Sequence, residues 1–398
     1  MAPASSGLPS AAEFGLDLGA ELESSEQLVT DIKVKTARLR KLLAEEKGDW
    51  LQLASPSLIS WALAGLWDPA REPLPGVVVL IGKGRSYVVA PTLFPQALAA
   101  RLQQLRYKVE LYDWRASPAQ EDLAAMIARL TKGQRVVTDC PDTNRVVLIK
   151  KLTAMRVDLT ELEVARYEWL GKACNWAVAS ATRQYQPDNS ASDLAGKVYA
   201  RLTSLGVKSL QLNVYADQQV YEATAAPPAG PILEQARIEL EAERWGLRLQ
   251  LARTLTVKPP QGDLVASYEG CGNLLASAAG AATEGATLGA LYEALSHEYE
   301  ALGYQWALAF TPAGGITGAG ETPLLELVAP DSLVTLAPPR ALVLETQLGG
   351  ASLRETFLLT ETGVTPITLA GGYWPTKQVS RPEVTLQVAD LFEVPGSL

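Results

Sequence analysis

The spacing of apolar and polar residues divides the chain into two parts with different element patterns. In the first part, residues 26–47 place leucine and isoleucine at helical intervals and end at Gly48, which predicts a helix. Strands are then predicted at 76–81, 86–90, 108–112 and 134–138, and helices at 94–106 and 121–130. Alternation of strands with helices is typical of an α/β layered domain, which we place at 21–153.

The second part, 154–398, has longer and more mixed elements. Helices are predicted over 159–184, 191–205 and 285–302. Strands are predicted near 209–217, 236–242, 246–257, 324–328, 341–348 and 353–360. This pattern indicates an α+β domain that is built on long antiparallel strands.

The acidic charge balance narrows the range of partners. The chain has 398 residues, a formal net charge of −9 and a pI of about 5.0. Because phosphate binding needs a concentrated surface of lysine and arginine, nucleic acid is not an expected partner. The dense basic stretch from Lys33 to Lys41 fits the solvated face of one helix.

Neither a membrane span nor a signal peptide is expected. No apolar run approaches the roughly 18 residues that a membrane helix needs, so the membrane is not an expected partner. Residues 1–20 are mostly small and polar and lack the basic and apolar segments of a secretion signal. We expect this stretch to be a disordered arm.

The counts of cysteine and histidine limit the available chemistry. Cys140, Cys174 and Cys271 lie far apart and form no CxxC pattern, which argues against a disulfide framework and favours a reducing cytoplasm. The only histidine is His297. Histidine is the commonest general base near neutral pH. Any mechanism in this chain can therefore use at most one histidine. The helical spacing around His297 predicts a position on a helix surface.

Several segments match, in order, the motifs of one known family. They are SPSLISWALAG (55–65), ELEVARYEWLGKA (161–173) and PDNSASDL (187–194). With the strand motif at 239–254, they resemble the creatinase, aminopeptidase P and prolidase family over nearly the whole chain. The resemblance implies a creatinase-type N-terminal α/β domain, a C-terminal α+β pita-bread domain and a homodimer. In active members of that family, two Asp, one His and two Glu hold two metal ions.

In two of the family's ligand motifs, this chain has a residue that is a poor metal ligand, or no side chain at all, at a ligand position. ELEAERWGLRLQLART (239–254) resembles the motif D-x-G-x-x-x-x-G-x-x-x-D-x-T-R-T and places Glu239 and Gln250 at the aspartate positions. The histidine of the G-H-x-x-G motif falls at Gly315 or Gly314. A neutral amide is a poor ligand and glycine has no side chain. The resemblance therefore implies that no metal ion is bound, and we expect no other cofactor.

The two glutamate positions are retained. LAPPRALVLET (336–346) keeps Glu345, and LRETFLLTETG (353–363) keeps Glu355. A further catalytic histidine of the family would fall near Glu321 or Thr322, and neither is a histidine. We expect these positions to line one pocket: Glu239, Gln250, Gly315, Glu345, Glu355, Arg253 and Glu321.

The predicted pocket has two interpretations. The carboxylates either form a remodelled polar site, or they are solvated and hydrogen bonded among themselves. In the same way, Arg253 is either a structural ion-pair partner or a binding group for an anionic ligand, since its forked donors suit a carboxylate.

The functional hypothesis is an Xaa-Pro peptidase-like or creatinase-like protein that has lost its dinuclear metal site and acts by binding, as a pseudoenzyme. Its ligand would be a peptide or a small molecule. One alternative is a metal-independent hydrolase or lyase that uses Glu239, Glu345, Glu355 or Glu321 as acid and base. Another is a residual Xaa-Pro metallopeptidase. The sequence names no catalytic residue.

Overall fold

The protein is described by a computed structural model. It covers Ala11, Leu16, Leu22 and residues 24–394, apart from 68–73, 116–121, 141–144, 221–229, Glu321 and Pro323. Most of the predicted arm at 1–20 lies outside the described residues, although Leu16 is buried in the core. Glu321, one of the candidate site residues, also lies outside them.

The first part of the chain forms a mixed sheet flanked by helices. The helices are α1 (Ser25–Glu45), α2 (Pro56–Ala62), α3 (Gln96–Gln104), α4 (Leu123–Thr131) and α5 (Ile149–Arg156). The strands are β1 (Trp50–Leu53), β2 (Val78–Gly82), β3 (Ser86–Pro91), β4 (Lys108–Tyr112), β5 (Val136–Thr138) and β6 (Val146–Val147). They form a six-stranded sheet in the order β4-β3-β2-β1-β5-β6. All residues of β2 are buried, as the unbroken apolar run at that position predicts.

The second part forms a larger, mainly antiparallel sheet. The helices are α6 (Glu161–Arg183), α7 (Ala191–Ser204), α8 (Gly262–Ala281) and α9 (Leu288–Ala301). The strands are β7 (Lys208–Ala216), β8 (Gln235–Arg244), β9 (Leu247–Thr256), β10 (Gly314–Thr317), β11 (Glu326–Leu327), β12 (Arg340–Leu348), β13 (Ala351–Thr360), β14 (Gly363–Pro366), β15 (Thr376–Arg381), β16 (Val384–Ala389) and β17 (Phe392–Glu393).

The nine-stranded sheet has the order β11-β10-β12-β13-β9-β8-β7, with β14 beside β13 and β17 beside β9. Strands β15 and β16 form a separate hairpin. Every helix and strand that the sequence pattern predicts is present, with ends shifted by a few residues. No helix in the described ranges is long and apolar enough to cross a membrane.

Helices α6 and α7, which contain two of the family-like segments, each begin with a capping box. At the start of α6, the Thr160 hydroxyl accepts a hydrogen bond from the Glu163 amide (3.2 Å), and the Glu163 carboxylate accepts one from the Thr160 amide (2.9 Å). Ser190 and Asp193 form the same reciprocal pair at the start of α7. These capping boxes fix where each helix begins, because they satisfy amides that have no partner within the helix.

Helix α8 has no counterpart among the predicted elements. Its sequence is apolar or small on most sides and several glycines interrupt it, so burial hides the helical periodicity. The helix packs against the sheet, where the Thr346 hydroxyl donates to the Cys271 carbonyl (3.1 Å). A Cβ at Gly270 would lie 2.5 Å from Leu348 Cδ1, so the missing side chain allows this close approach.

A buried charge cluster joins the two parts of the chain. Lys35 on α1 lies 2.8 Å from carboxylate oxygens of both Asp31 and Glu163, and all three residues are buried. The Lys35 ammonium also lies 5.4 Å from the centre of the Trp61 ring, and the Thr160 hydroxyl donates to Asp31. One lysine therefore neutralises carboxylates from α1 and α6 that would otherwise repel each other in a low dielectric.

We predict that Lys35→Met lowers the free energy of unfolding by about 3–5 kcal/mol, because two buried carboxylates lose their counter-charge. Urea unfolding followed by circular dichroism measures the change. Lys41→Met, on an exposed position of the same helix, is the matched control and should stay within about 0.5 kcal/mol of the parent. Equal losses in the two variants would contradict this role of Lys35.

Candidate functional site

One face of the large sheet carries a row of four polar residues and one alanine that crosses five strands. In sheet order the registered partners are Asn213, Glu239, Ala252, Arg354 and Glu345, on β7, β8, β9, β13 and β12. Residues directly opposite one another project to the same side of a sheet. We call this side of the sheet the polar face.

A second row of the polar face lies two residues further along each strand. Glu241 is the registered partner of Gln250 on β9, and Val343 is the partner of Thr356 and of Gly315. The Gln250 backbone N–H donates to the Thr356 hydroxyl (3.0 Å), which in turn donates to the Gln250 backbone carbonyl (2.7 Å). Since side chains alternate with a period of two, the two rows share one face.

Arg354 occupies the centre of the first row. Its Nε and Nη2 donate to the two oxygens of Glu345 at 2.9 and 2.6 Å, and its Nη1 lies 3.8 Å from Glu239 Oε2. Burial acts to lower the pKa of Arg354, but Glu345 and Glu239 outweigh it and the pKa is raised. A permanent positive charge therefore lies between the two glutamates that the motifs pick out.

Arginines also neutralise the other acids of the polar face. Arg237 Nε lies 2.9 Å from Glu239, and Arg248 lies 2.9 Å from Glu241 and 3.7 Å from Glu243. The side chains of Arg354, Glu239 and Glu345 are 17%, 13% and 9% exposed, so solvent still reaches them. The result is a network of alternating charges that is only partly buried.

Neither glycine of the histidine motif has room for a side chain. A Cβ at Gly315 would lie 2.0 Å from the Glu326 carbonyl oxygen of β11, and one at Gly314 would lie 1.9 Å from the Val343 carbonyl oxygen. Both oxygens belong to paired strands, so neither can move without breaking the sheet. This backbone path requires glycine at both positions.

Glu355 and Arg253 do not join the polar face, and the expectation that they line the pocket is wrong. Glu355 is registered with Leu344 and follows Arg354 directly, so its side chain projects from the opposite side of the sheet. There Arg253 binds it through two hydrogen bonds of 2.7 and 3.1 Å, and Thr368 donates to it as well.

The pair of Arg253 and Glu355 is completely enclosed, with both side chains 0% exposed. Burial raises the pKa of Glu355, while Arg253 and Thr368 offset part of that rise. Arg253 also donates to the Thr368 carbonyl at 2.8 Å. This geometry agrees with the structural interpretation of Arg253 as an ion-pair partner.

The residue at the centre of the polar face that the motif comparison missed is Arg354. A signal for it was present, because the pair Gly349-Gly350 predicts a tight hairpin turn. A two-residue turn there registers Leu348 with Ala351 and hence Glu345 with Arg354, as the structure shows.

The other candidate residues lie apart from the polar face or outside the described chain. His297 is exposed on α9, which agrees with the prediction that it lies on a helix surface. Glu321 is not described. Within the described residues, no group of three or more His, Cys, Asp or Glu side chains could hold a metal ion.

The architecture is similar to that of solved Xaa-Pro peptidases. An Xaa-Pro dipeptidase from Bacillus anthracis matches with 16% identity and a TM-score of 0.69, covering 91% of this chain and 100% of that one. An X-Pro aminopeptidase from Thermotoga maritima matches with 14% identity and a TM-score of 0.69, covering 90% and 99%.

The N-terminal domain of the FACT complex subunit SPT16 from Eremothecium gossypii also matches, with 12% identity and a TM-score of 0.60 over 85% of this chain and 96% of that domain. No protein-family model and no curated protein matches the sequence. The chain has a creatinase- and aminopeptidase P-like pita-bread fold, with an α/β N-terminal domain before it, and the predicted fold class is confirmed.

We predict that Glu355→Gln lowers the free energy of unfolding by about 3–5 kcal/mol, because Arg253 is left as a buried charge without its counter-ion. Arg253→Met should cost a similar amount, and the double variant should cost less than the sum of the two. Glu361→Gln, at an exposed position near the end of the same hairpin, is the control. Additive losses in the double variant would show that the two side chains do not act as a pair.

Proposed function

We propose that this chain is a pita-bread protein without a working dinuclear metal centre, and that it acts by binding a ligand on its polar face. The observation that carries the proposal is the position of Arg354. Its guanidinium contacts Glu345 directly and lies 3.8 Å from Glu239, where the resemblance implies metal ions. A fixed cation there takes the place of the charge that the metals would supply.

The remaining donors on the polar face do not fit the two metal ions. Gln250 offers only a neutral amide, and the backbone at Gly315 leaves no room for a histidine. Glu345 already directs both carboxylate oxygens to Arg354. Divalent cations held by oxygen ligands need several unengaged carboxylates, and a neighbouring guanidinium repels them.

The same contacts favour binding over metal-independent hydrolysis. A general acid or base needs a carboxylate that can reach the substrate proton. The carboxylates Glu239, Glu241 and Glu345 each have an arginine at 2.9 Å or closer. They are therefore placed to hold arginine side chains in position rather than to exchange protons.

The ligand that this network supports is a peptide or a small zwitterionic molecule. Arginine forks recognise carboxylates, and the glutamates between them recognise amines. The similar SPT16 domain belongs to a subunit of a complex, so the fold also occurs in a protein whose name does not describe a peptidase. The proposal includes a homodimer and a reducing, cytoplasmic setting, in keeping with Cys174 and Cys271, which are buried outside any disulfide.

The proposal predicts that the purified protein retains no stoichiometric manganese, cobalt or zinc after soaking and dialysis. It also predicts no cleavage of Xaa-Pro dipeptides when these ions are added. Elemental analysis and a ninhydrin assay for released amino acids measure the two results. One or two ions held tightly per chain, or metal-dependent cleavage, would overturn the proposal.

A designed variant tests whether Arg354 and Gln250 are the residues that prevent metal binding. We predict that Arg354→Glu combined with Gln250→Asp raises the affinity for Mn²⁺ by about tenfold or more, since two carboxylates replace a cation and an amide. Isothermal titration measures it. The control, Lys41→Glu with Gln103→Asp, makes the same change in net charge at exposed helix positions. Equal gains in both variants would show a general charge effect instead of a rebuilt site.

A further inference from the structure

A concave site lies in the first part of the chain, away from the polar face. It is a cavity of about 600 Å³ between α1, the turn that joins β2 to β3, and the segment that joins α3 to β4. A volume of this size is typical of sites for small molecules. Neither the polar face nor the proposed loss of metal binding involves this cavity.

The charges around the cavity all have one sign. Its lining includes Lys33, Arg40, Arg85, Arg106 and Lys108, which come from three separate segments, and no Asp or Glu is among its lining residues in the described chain. The protein as a whole carries a net charge of −9. Five cations around one cavity are therefore a strong local reversal of the overall charge.

Most of these cations have no ion-pair partner among the residues that the structure describes. Within the described parts of the chain, Lys33, Arg85 and Arg106 form no ion pair, and all three are exposed. Arg40 donates to the Gly82 carbonyl at 3.0 Å, which points its charge into the turn at the cavity edge. Like charges held close together repel each other, so a bound anion would stabilise this arrangement.

The rest of the lining is suited to a small molecule with an apolar portion. Val29, Ile32 and Leu105 supply apolar surface, and Ser86 supplies a half-buried hydroxyl. The Tyr107 hydroxyl is already engaged, because it donates to the Ala62 carbonyl (3.0 Å). Apolar walls below a rim of cations resemble the arrangement that small-molecule sites use for orientation and specificity.

The structure also revises the interpretation of the basic stretch at Lys33 to Lys41. Its members serve different purposes: Lys35 is the buried counter-ion, Lys41 is exposed, and Lys33 and Arg40 line the cavity. A solvated helix face therefore accounts for only part of the stretch.

We propose that this cavity, the anion pocket, binds a small molecule that carries at least two phosphate groups. Arginine forks and lysine ammonium groups form strong charge-assisted hydrogen bonds to phosphate oxygens. Five cations match a ligand of several negative charges better than a single carboxylate. A long nucleic acid fits poorly, because it would run from this site over the rest of a protein with a net charge of −9.

The test is isothermal titration of the whole protein with inorganic pyrophosphate and with ATP at about 0.15 M salt, a concentration that screens weak surface attraction. We expect one ligand per chain. Lys33→Glu combined with Arg85→Glu should weaken binding by about 100-fold, since each lost charge-assisted contact costs about tenfold. Both positions are exposed, and thermal unfolding checks that the variant remains folded.

The matched control is Lys41→Glu combined with Lys150→Glu, which changes the net charge equally at exposed positions outside the pocket. It should bind pyrophosphate and ATP as the parent does. The proposal is overturned if the parent binds neither probe, if the pocket variant binds as well as the parent, or if the control loses affinity to the same extent. Equal affinity for a single-stranded oligonucleotide would also overturn it, in favour of a nucleic-acid surface.

Discussion

In an antiparallel sheet, a shift of one residue moves a side chain from one face to the other, and the candidate site depends on this constraint. The tight turn at Gly349-Gly350 registers Glu345 with Arg354, so these two side chains meet on the polar face. Glu355, one residue later, projects to the other side and meets Arg253 there. One turn therefore decides which acid is accessible and which is enclosed.

Arginines neutralise the carboxylates on both faces of the sheet, but the arrangement differs between the two faces. On the enclosed side, a bidentate arginine compensates a carboxylate that has lost all contact with water, and that pair holds β9 and β13 together. On the polar face, Arg354 keeps Glu239 and Glu345 from repelling each other while solvent still reaches all three.

The sequence was sufficient for the fold class because amphipathic helices and alternating strands carry their own periodicity, as in α6, α7 and β13. It was insufficient for α8, since a helix that is buried on most sides has no polar stripe. Motif order picked out Glu239, Gln250 and Glu345, and the strand register puts these three residues on one face of the sheet. It failed at Glu355 because the motif match tolerates a shift of one residue, whereas the strand register does not.

Acids and cations are distributed differently over the polar face and the anion pocket. These two surfaces therefore differ in local charge, although they belong to one acidic chain. On the polar face, acids and arginines alternate and neutralise each other, so the local charge there is nearly balanced. Around the anion pocket, cations accumulate without acids, so the local potential is positive although the net charge is −9. Because Lys35 joins α1 to α6 at its buried side while Lys33 and Arg40 line the pocket, an anion bound there would act on the same helix that connects the two parts of the fold.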